Sequence, residues 1–384
     1  MEFLHTSDWH LGRLFHQVSL LEDQAFLLQQ LVENLKRQPP AAVIIAGDIY
    51  DRSVPPAEAI ALLDRFLDQV LGELKIPVLM IPGNHDSAQR LGFASRHLHQ
   101  AGLHIFTDLR QLAQPVTLEV GDQQVDFFGI PYADPQLVRE VFREELEPDQ
   151  TLDFNQAHTF LVNKIKQNWQ PGRKRVLISH CFLDGASESD SERPLSIGGA
   201  DRVDWQPLQD FDYVALGHLH SPQYKGVEWI RYSGSLMQYS FSEVKQRKGV
   251  LRVRLQPATA AEVQFEELCP KRALRVLEGK LDDLLEQGRT DPAKDDYLLV
   301  RLQDRQALLN PMARLREVYP QVLHLERKKL TEATTAGVTG QCLQRNELAL
   351  FADFFQQTRD ESLKDEHKAL LSEVIEQARQ EENA

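Results

Sequence analysis

Short apolar runs that stop abruptly on polar, metal-capable side chains recur along the first two thirds of this chain, and they constrain its fold more than any other feature. They read "EFLHTSDWH", "VIIAGDIYD", "VLMIPGNHD", "VDFFGIPY", "RVLISHC" and "YVALGHLH". Each is the length of a strand buried on both faces, where strict alternation is not expected. Between them lie helical patterns such as Ile60, Leu63, Phe66, Leu67, Val70, Leu71 and Leu74, after the helix-starting "SVPPAEA". Strand and helix alternate, which predicts an α/β class with helices layered around sheets.

Five of the six runs end in groups that bind cations: Asp8 and His10, Asp48, Asn84 and His85, His180, then His218 and His220. A desolvated polar cluster at a strand end costs a few kcal/mol unless something binds it. Parallel strands side by side bring their carboxyl ends to one edge, where open α/β sheets place their sites. In extended backbone the two members of "DWH" and of "HLH" point to the same side, so each pair can converge on one point. The donors exceed the needs of one ion, and two divalent ions sharing a bridging carboxylate would use them. Asp48 is the expected bridge, since it follows a glycine that leaves room for close approach. We expect Asp8, His10, Asp48 and His220 around one ion, and Asp48, Asn84, His180 and His218 around the other. His85 is left beside the ions with Asp86 next to it, and a histidine held by a carboxylate presents its other nitrogen as an acid. His85 and Asp86 are therefore the expected catalytic pair. His5, His16, His97, His99, His104, His158, His324 and His367 are expected to be structural or surface residues.

The chain has 384 residues, room for two or three domains. The first is expected over 1–268. Residues 269–330 read as a small α/β domain, with strands "RALRVLEG", "DYLLVRLQD" and "VLHLERK" separated by two helices, Asn310 being a candidate N-cap before Pro311. Residues 331–343, containing "TEATTAGVTGQ", look like a linker. In 344–384, Leu348, Phe351, Phe354 and Phe355, then Leu363, Leu370, Leu371, Val374 and Ile375, mark two amphipathic helices too short to bury their own apolar face. That tail is expected to dock on a partner. Cys181, Cys269 and Cys342 are widely spaced and odd in number, which suggests neither a disulfide framework nor a CxxC zinc site. The start "MEFLHTSDWH" has no basic leader or apolar signal core, and no run is long enough to span a bilayer, so a cytoplasmic location without membrane contact is expected.

The ordered set "DWH", "GDIYD", "GNHD", "SH" and "GHLH" resembles the calcineurin-like metallophosphoesterase superfamily over roughly residues 1 to 260. Within it, "HTSDWHLG", "ERPLSIGGADRVD" and "FDYVALGHLHSPQ" with "IRYSGSLMQYSFSE" resemble the nuclease subunits of SbcCD-type complexes. The resemblance implies a four-layer sandwich, two central sheets flanked by helices, with a small α/β cap domain and C-terminal helices. It implies a manganese-dependent nuclease of DNA repair: a 3′ to 5′ exonuclease on double-stranded DNA and an endonuclease on hairpins and single strands. It further implies an SbcC-like coiled-coil ATPase as partner and a nuclease homodimer within a heterotetramer, for which the helix from Ala57 to Leu74 is one candidate surface. Archaeal relatives carry a histidine where this chain has Asp51, which stays outside the expected ligand set. The alternative is a metallophosphoesterase acting on a small nucleotide or cyclic nucleotide.

Net charge qualifies the DNA reading. The formal charge is −14, and residues 345–384 hold five basic against ten acidic side chains, so the remainder is acidic as well. Few salt-sensitive phosphate contacts are expected, and weak DNA binding by this chain alone.

Overall fold

The computed structural model describes residues 1–147, 150–192, 201–304, 306, 308–327, 352, 355 and 364–382. Met1–Arg327 form one compact unit and Lys328–Ala384 another. In the first unit two six-stranded sheets lie face to face. The first contains β1 (Glu2–Thr6), β2 (Val43–Ala46), β3 (Val78–Ile81) and β4 (Leu103–Ile105). The second contains β5 (Val116–Val120), β6 (Gln123–Ile130), β7 (Lys174–His180), β8 (Tyr213–Gly217), β9 (Gln223–Lys225) and β10 (Val227–Tyr232). The chain then returns to the first sheet with β11 (Gly249–Arg254) and β12 (Glu262–Glu267). The strand orders are β12-β11-β1-β2-β3-β4 and β9-β10-β8-β7-β6-β5. β1 to β4 are mutually parallel, as are β10, β8, β7 and β6; β9 and β5 are antiparallel edge strands, and β11 runs antiparallel to β1 and to the edge strand β12 on either side of it.

Side chains of period two sort the core into layers. Phe3, Ile44, Ala46, Leu79, Ile81, Val176, Ile178, Tyr213 and Ala215 fill the space between the sheets. Their neighbours Leu4, Val43, Ile45, Val78 and Met80 face outward onto α1 (Leu21–Arg37) and α2 (Ala57–Leu67). Leu177, Val214 and Leu216 face α3 (Phe154–Lys166), whose start is fixed by a capping box between Asp153 and Gln156. Strands covered on both faces explain the near-continuous apolar runs. The result is the four-layer α/β sandwich. Leu63, a candidate contact for a second copy, is 5% exposed and packs in this core, whereas Ile60 on the same helix is 48% exposed. α2 passes into a wider π turn over Asp68–Glu73 rather than continuing as one α-helix to Leu74.

The elements expected after residue 270 form in order: β13 (Leu274–Gly279), α4 (Leu281–Gly288), β14 (Tyr297–Leu302), α5 (Pro311–Arg316) and β15 (Val322–Arg327). The three strands are parallel, and Leu281, Leu284, Val300, Leu302, Leu315 and Tyr319 make a local core. This layer does not stand apart. Leu274, Tyr297 and Leu323 join the α1 side of the main core. Buried Asp23 on α1 accepts from Tyr297 Oη at 2.8 Å and from Arg272 Nη1 at 2.8 Å. Asn310 stands before Pro311 but in a left-handed conformation with no side-chain cap bond. The second unit contains α6 (Asp365–Glu382), on which Leu370 and Val374 are exposed. The linker, Leu348, Phe351, Phe354, Leu363 and Cys342 lie outside the described residues. No helix among the described residues is long and apolar enough to cross a membrane.

Three histidines away from the strand ends are packed as neutral groups. His5 lies between the sheets, its Nε2 donating to Leu216 O at 3.2 Å and its Nδ1 accepting from Tyr213 Oη at 2.9 Å. Burial pushes its pKa down to about 3, and those of His104 and His158 down to about 4. An unfolded histidine titrates near 6.5, so the unfolded chain binds more protons below that pH and stability is lost as pH falls from about 6.5 towards 4. For fully buried His5 and His158 the loss is roughly 2 kcal/mol each by pH 5. Urea unfolding of the metal-free chain should therefore give a midpoint that drops between pH 7 and 5, with a shallower drop in His158→Leu; equal slopes for the two proteins would contradict this assignment.

Candidate metal centre

The carboxyl ends of β1, β2, β3, β7 and β8 meet at one edge of the sandwich, and each leads into a side chain of a type that can bind a cation. The sheets approach so closely there that glycine is required. A Cβ on Gly47 would stand 2.3 Å from His180 Nδ1, and one on Gly217 would stand 1.9 Å from Ala46 O. In their absence His180 Nδ1 reaches Ala46 O at 2.9 Å, which as a carbonyl can only accept, so Nδ1 carries the proton and Nε2 faces the pocket. The loops after β1 and β2 are stitched together by backbone bonds from Asp8 N to Gly47 O at 3.0 Å and from His10 N to Asp48 O at 2.9 Å.

Asp8 (φ +52°), His10 (+46°), Asp48 (+48°) and His218 (+107°) all occupy the left-handed half of backbone space. Such conformations cost about 1–3 kcal/mol each outside glycine and persist where the surroundings hold them. Neither "DWH" nor "HLH" is therefore extended: Asp8, His10 and His218 come together through left-handed φ angles at single residues, not through strand alternation.

Asp8, His10, Asp48, His180, His218 and His220 are buried, and Asn84 and His85 are partly buried. His10 Nε2 stands 3.0 Å from His220 Nε2 and 3.6 Å from Asp48 Oδ2. His180 Nε2 stands 3.0 Å from Asn84 Oδ1 and 3.5 Å from Asp48 Oδ2, and His218 Nδ1 lies 3.3 Å from Asn84 Oδ1. Two donors each about 2.1 Å from one ion are separated by about 3 to 3.5 Å. The spacing is thus that of atoms sharing cations, and the residues present fit divalent metal. Asp8, His10 and His220 cluster within 4.8 Å of one another, as do Asp8, Asp48 and His180.

The electrostatics agree. Burial pushes the Asp8 carboxyl up to about 6, against the pull of His180 and His220. Burial alone would raise Asp48 and lower His180, but their mutual attraction outweighs it, holding Asp48 well below its usual range and His180 up at about 9. Burial and the charge of His180 push His218 down to about 3. A bound cation would take the place of the His180 proton as the counter-charge of Asp48.

His85 and Asp86 do not pair as expected. The Asp86 carboxylate turns away and accepts backbone N–H bonds from Ile49 at 3.0 Å, Tyr50 at 2.9 Å and Gly83 at 2.9 Å, so it shapes the loop. His85 Nδ1 instead donates to the Asp51 carbonyl at 2.8 Å, leaving Nε2 4.0 Å from Asp48 Oδ2. The Asp51 carboxylate faces His10 Nδ1 at 3.8 Å and Arg13 at 3.6 Å, and His10, Asp51 and His85 form a third cluster of possible donors. Ser191, Glu192 and Glu243 gather behind His220; Glu192 and Glu243 stand at the ends of two of the quoted family-like stretches, but nothing in those stretches assigns them a role. His16 rests against His324, ring centroids 5.1 Å apart. Cys181 is a buried thiol and Cys269 an exposed one.

Residues 1–222 match the calcineurin-like phosphoesterase family model, and residues 270–359 match a model described as the type 5 capsule protein repressor C-terminal domain. The SbcD component of nuclease SbcCD from Staphylococcus epidermidis is 33% identical over 379 residues, 98% of this chain and 99% of that protein. The chain belongs to the SbcD family of calcineurin-like phosphoesterases. The SbcD component of the same nuclease from Staphylococcus saprophyticus is 37% identical over 325 residues, 85% of this chain and 84% of that protein. A dimetal phosphatase from Danio rerio aligns over 70% of this chain and 96% of its own, with 14% identity and a TM-score of 0.40.

The seam between the sheets yields a sharp expectation for this family member. Gly47→Ala places a methyl on the His180 ring at a φ of +92° that alanine disfavours. Equilibrium dialysis against Mn2+ should show at least one ion lost per chain while far-UV circular dichroism keeps its shape; full metal occupancy in the variant would contradict the seam.

Proposed function

We propose that this chain is the metal-dependent nuclease subunit of an SbcCD-type complex and hydrolyses DNA phosphodiesters with two divalent ions. The observation that carries the reading is the donor spacing: nitrogen and oxygen atoms from five strand ends stand 3.0–3.6 Å apart, the separation of atoms that share an ion, in one largely buried pocket. The names of its curated relatives, nuclease components over nearly the full length, support it.

In this proposal Asp8, His10, Asp48 and His220 hold one ion, and Asp48, Asn84, His180 and His218 hold the other. The distances support the division, since the His10–His220 pair falls in the first set and both Asn84 contacts in the second. Asp48 bridges. Four imidazoles favour a transition metal over magnesium, and manganese is our choice. Once bound, such ions activate a water as nucleophile and neutralise the non-bridging oxygens of the phosphodiester. His85 is the proposed acid. With Nδ1 tied to the Asp51 carbonyl, its Nε2 is the nitrogen left to carry a proton to the leaving 3′ oxygen. Asp86 contributes by holding the loop that carries His85.

The finer reading follows the family. Cleavage runs 3′ to 5′ on duplex ends and endonucleolytically on hairpins and single strands. Residues 1–268 form the nuclease domain, 269–330 a cap facing DNA, 331–343 a linker and 344–384 the tail that binds an SbcC-like coiled-coil ATPase. Two nuclease subunits pair within a heterotetramer in the bacterial cytosol.

His85→Ala should bind two Mn2+ per chain and lose at least ~100-fold in cleavage of blunt and hairpin duplex, the scale of one acid group. Metal counting beside a nuclease assay checks this, and an emptied metal position in that variant would move His85 into the ligand set. Hydrolysis of small nucleotide esters in preference to both DNA substrates would instead favour a small-molecule phosphoesterase.

A further inference from the structure

We propose that Glu243 is a positioning residue for the metal pocket, acting through the Ser191 hydroxyl to fix the His220 imidazole with Nε2 facing inward. The inference rests on the two-ion reading and adds residues that neither ligate nor touch substrate.

The Glu243 carboxylate is fully buried, in the segment that follows β10. It is matched by the buried Lys248 ammonium, 2.7 Å from Oε2, and it accepts from Ser189 Oγ at 2.9 Å and from Tyr239 N at 3.2 Å. Its Oε1 also meets Ser191 Oγ. Ser191 Oγ lies in turn 2.5 Å from His220 Nδ1. A serine has one proton to give. A carboxylate oxygen can only accept, and its charge outcompetes the Ser189 hydroxyl 3.1 Å away, so the Ser191 proton goes to Glu243. The lone pair of Ser191 must then take the proton of His220 Nδ1. That fixes the tautomer: Nε2 is bare, and it is this atom that stands 3.0 Å from His10 Nε2 on the pocket side.

Without the carboxylate the Ser191 hydroxyl can turn and donate to Nδ1, which stabilises the opposite tautomer, with a proton where the ion belongs. Glu192 completes the clamp by accepting from His220 N at 2.7 Å, and Lys248 by donating to His220 O at 2.7 Å. Carboxylates behind ligating histidines work this way in metal sites generally, and their loss costs ~10- to 100-fold in affinity.

A purely structural role predicts something different. The Glu243–Lys248 pair also ties its own segment to the loop around His220, and a fold-only role would show as general destabilisation. Ser191→Ala separates the two, because it removes the relay and leaves that pair in place. Titration of the full chain with Mn2+, followed by the paramagnetic resonance of the free ion and accompanied by melting of the metal-free protein, makes the test. We expect Ser191→Ala to weaken one of two ions by ~10- to 100-fold, leave the other and the melting temperature unchanged, and be restored by Ser191→Thr. Glu243→Gln should give the same one-ion loss; if that variant does not fold, the serine pair decides alone. Wild-type affinity for both ions in Ser191→Ala, or equal weakening of both, would overturn the proposal. A wild-type chain that binds fewer than two ions would sink the two-ion reading itself and take this inference with it.

Discussion

The closeness of the two sheets at their carboxyl edges is the constraint on which the rest depends. Backbone carbonyl, imidazole and glycine meet there with no space for a methyl group, since a Cβ on Gly47, Gly83 or Gly217 would fall within 2.3 Å of His180, Asp48 or Ala46. The Gly47–His180 and Gly217–Ala46 approaches cross between the sheets and bring β7 and β8 of one against β2 and β3 of the other, while Gly83 and Asp48 pack together within the first. Histidines from the second half of the domain thereby face carboxylates from the first. Neither sheet alone could build the pocket, because the first lacks His180, His218 and His220 and the second lacks Asp8 and Asp48.

The strain in the site is balanced by its surroundings. Four candidate ligands hold left-handed φ angles, and each is pinned by backbone hydrogen bonds or by close packing between loops. Donors held by such contacts need little reordering to receive an ion. The His10 and His220 imidazoles stand with their Nε2 atoms 3.0 Å apart, a separation that suits an N–H···N hydrogen bond as well as a shared ion.

Much of this was legible in the sequence. Apolar runs of strand length ending on Asp, Asn and His marked the parallel strands, and the small βαβαβ layer followed from periodicity and from Pro311. Those signals are local, so a linear reading can find them. What escaped it was non-local or conformational. The Asp86 carboxylate looked like the partner of His85 by adjacency, yet three backbone N–H groups claim it and a carbonyl claims His85. Glu243 lies in "YSFSE", a stretch without helical or strand period, and its partner Ser191 is 52 positions away. Tyr297 and Arg272 read locally as parts of the 269–330 layer, and the bonds both make to Asp23 on α1, about 250 or more positions away, carry no local signal.

The central claim is that separate strand ends close around a pair of divalent ions with the Asp48 carboxylate between them. Metal content after equilibrium dialysis against Mn2+, measured on the wild type and on Asp48→Asn, tests it most directly. Two ions per chain in the wild type, with both positions weakened by the single substitution, is the predicted result. Two ions retained in Asp48→Asn, or no more than one in the wild type, would contradict it.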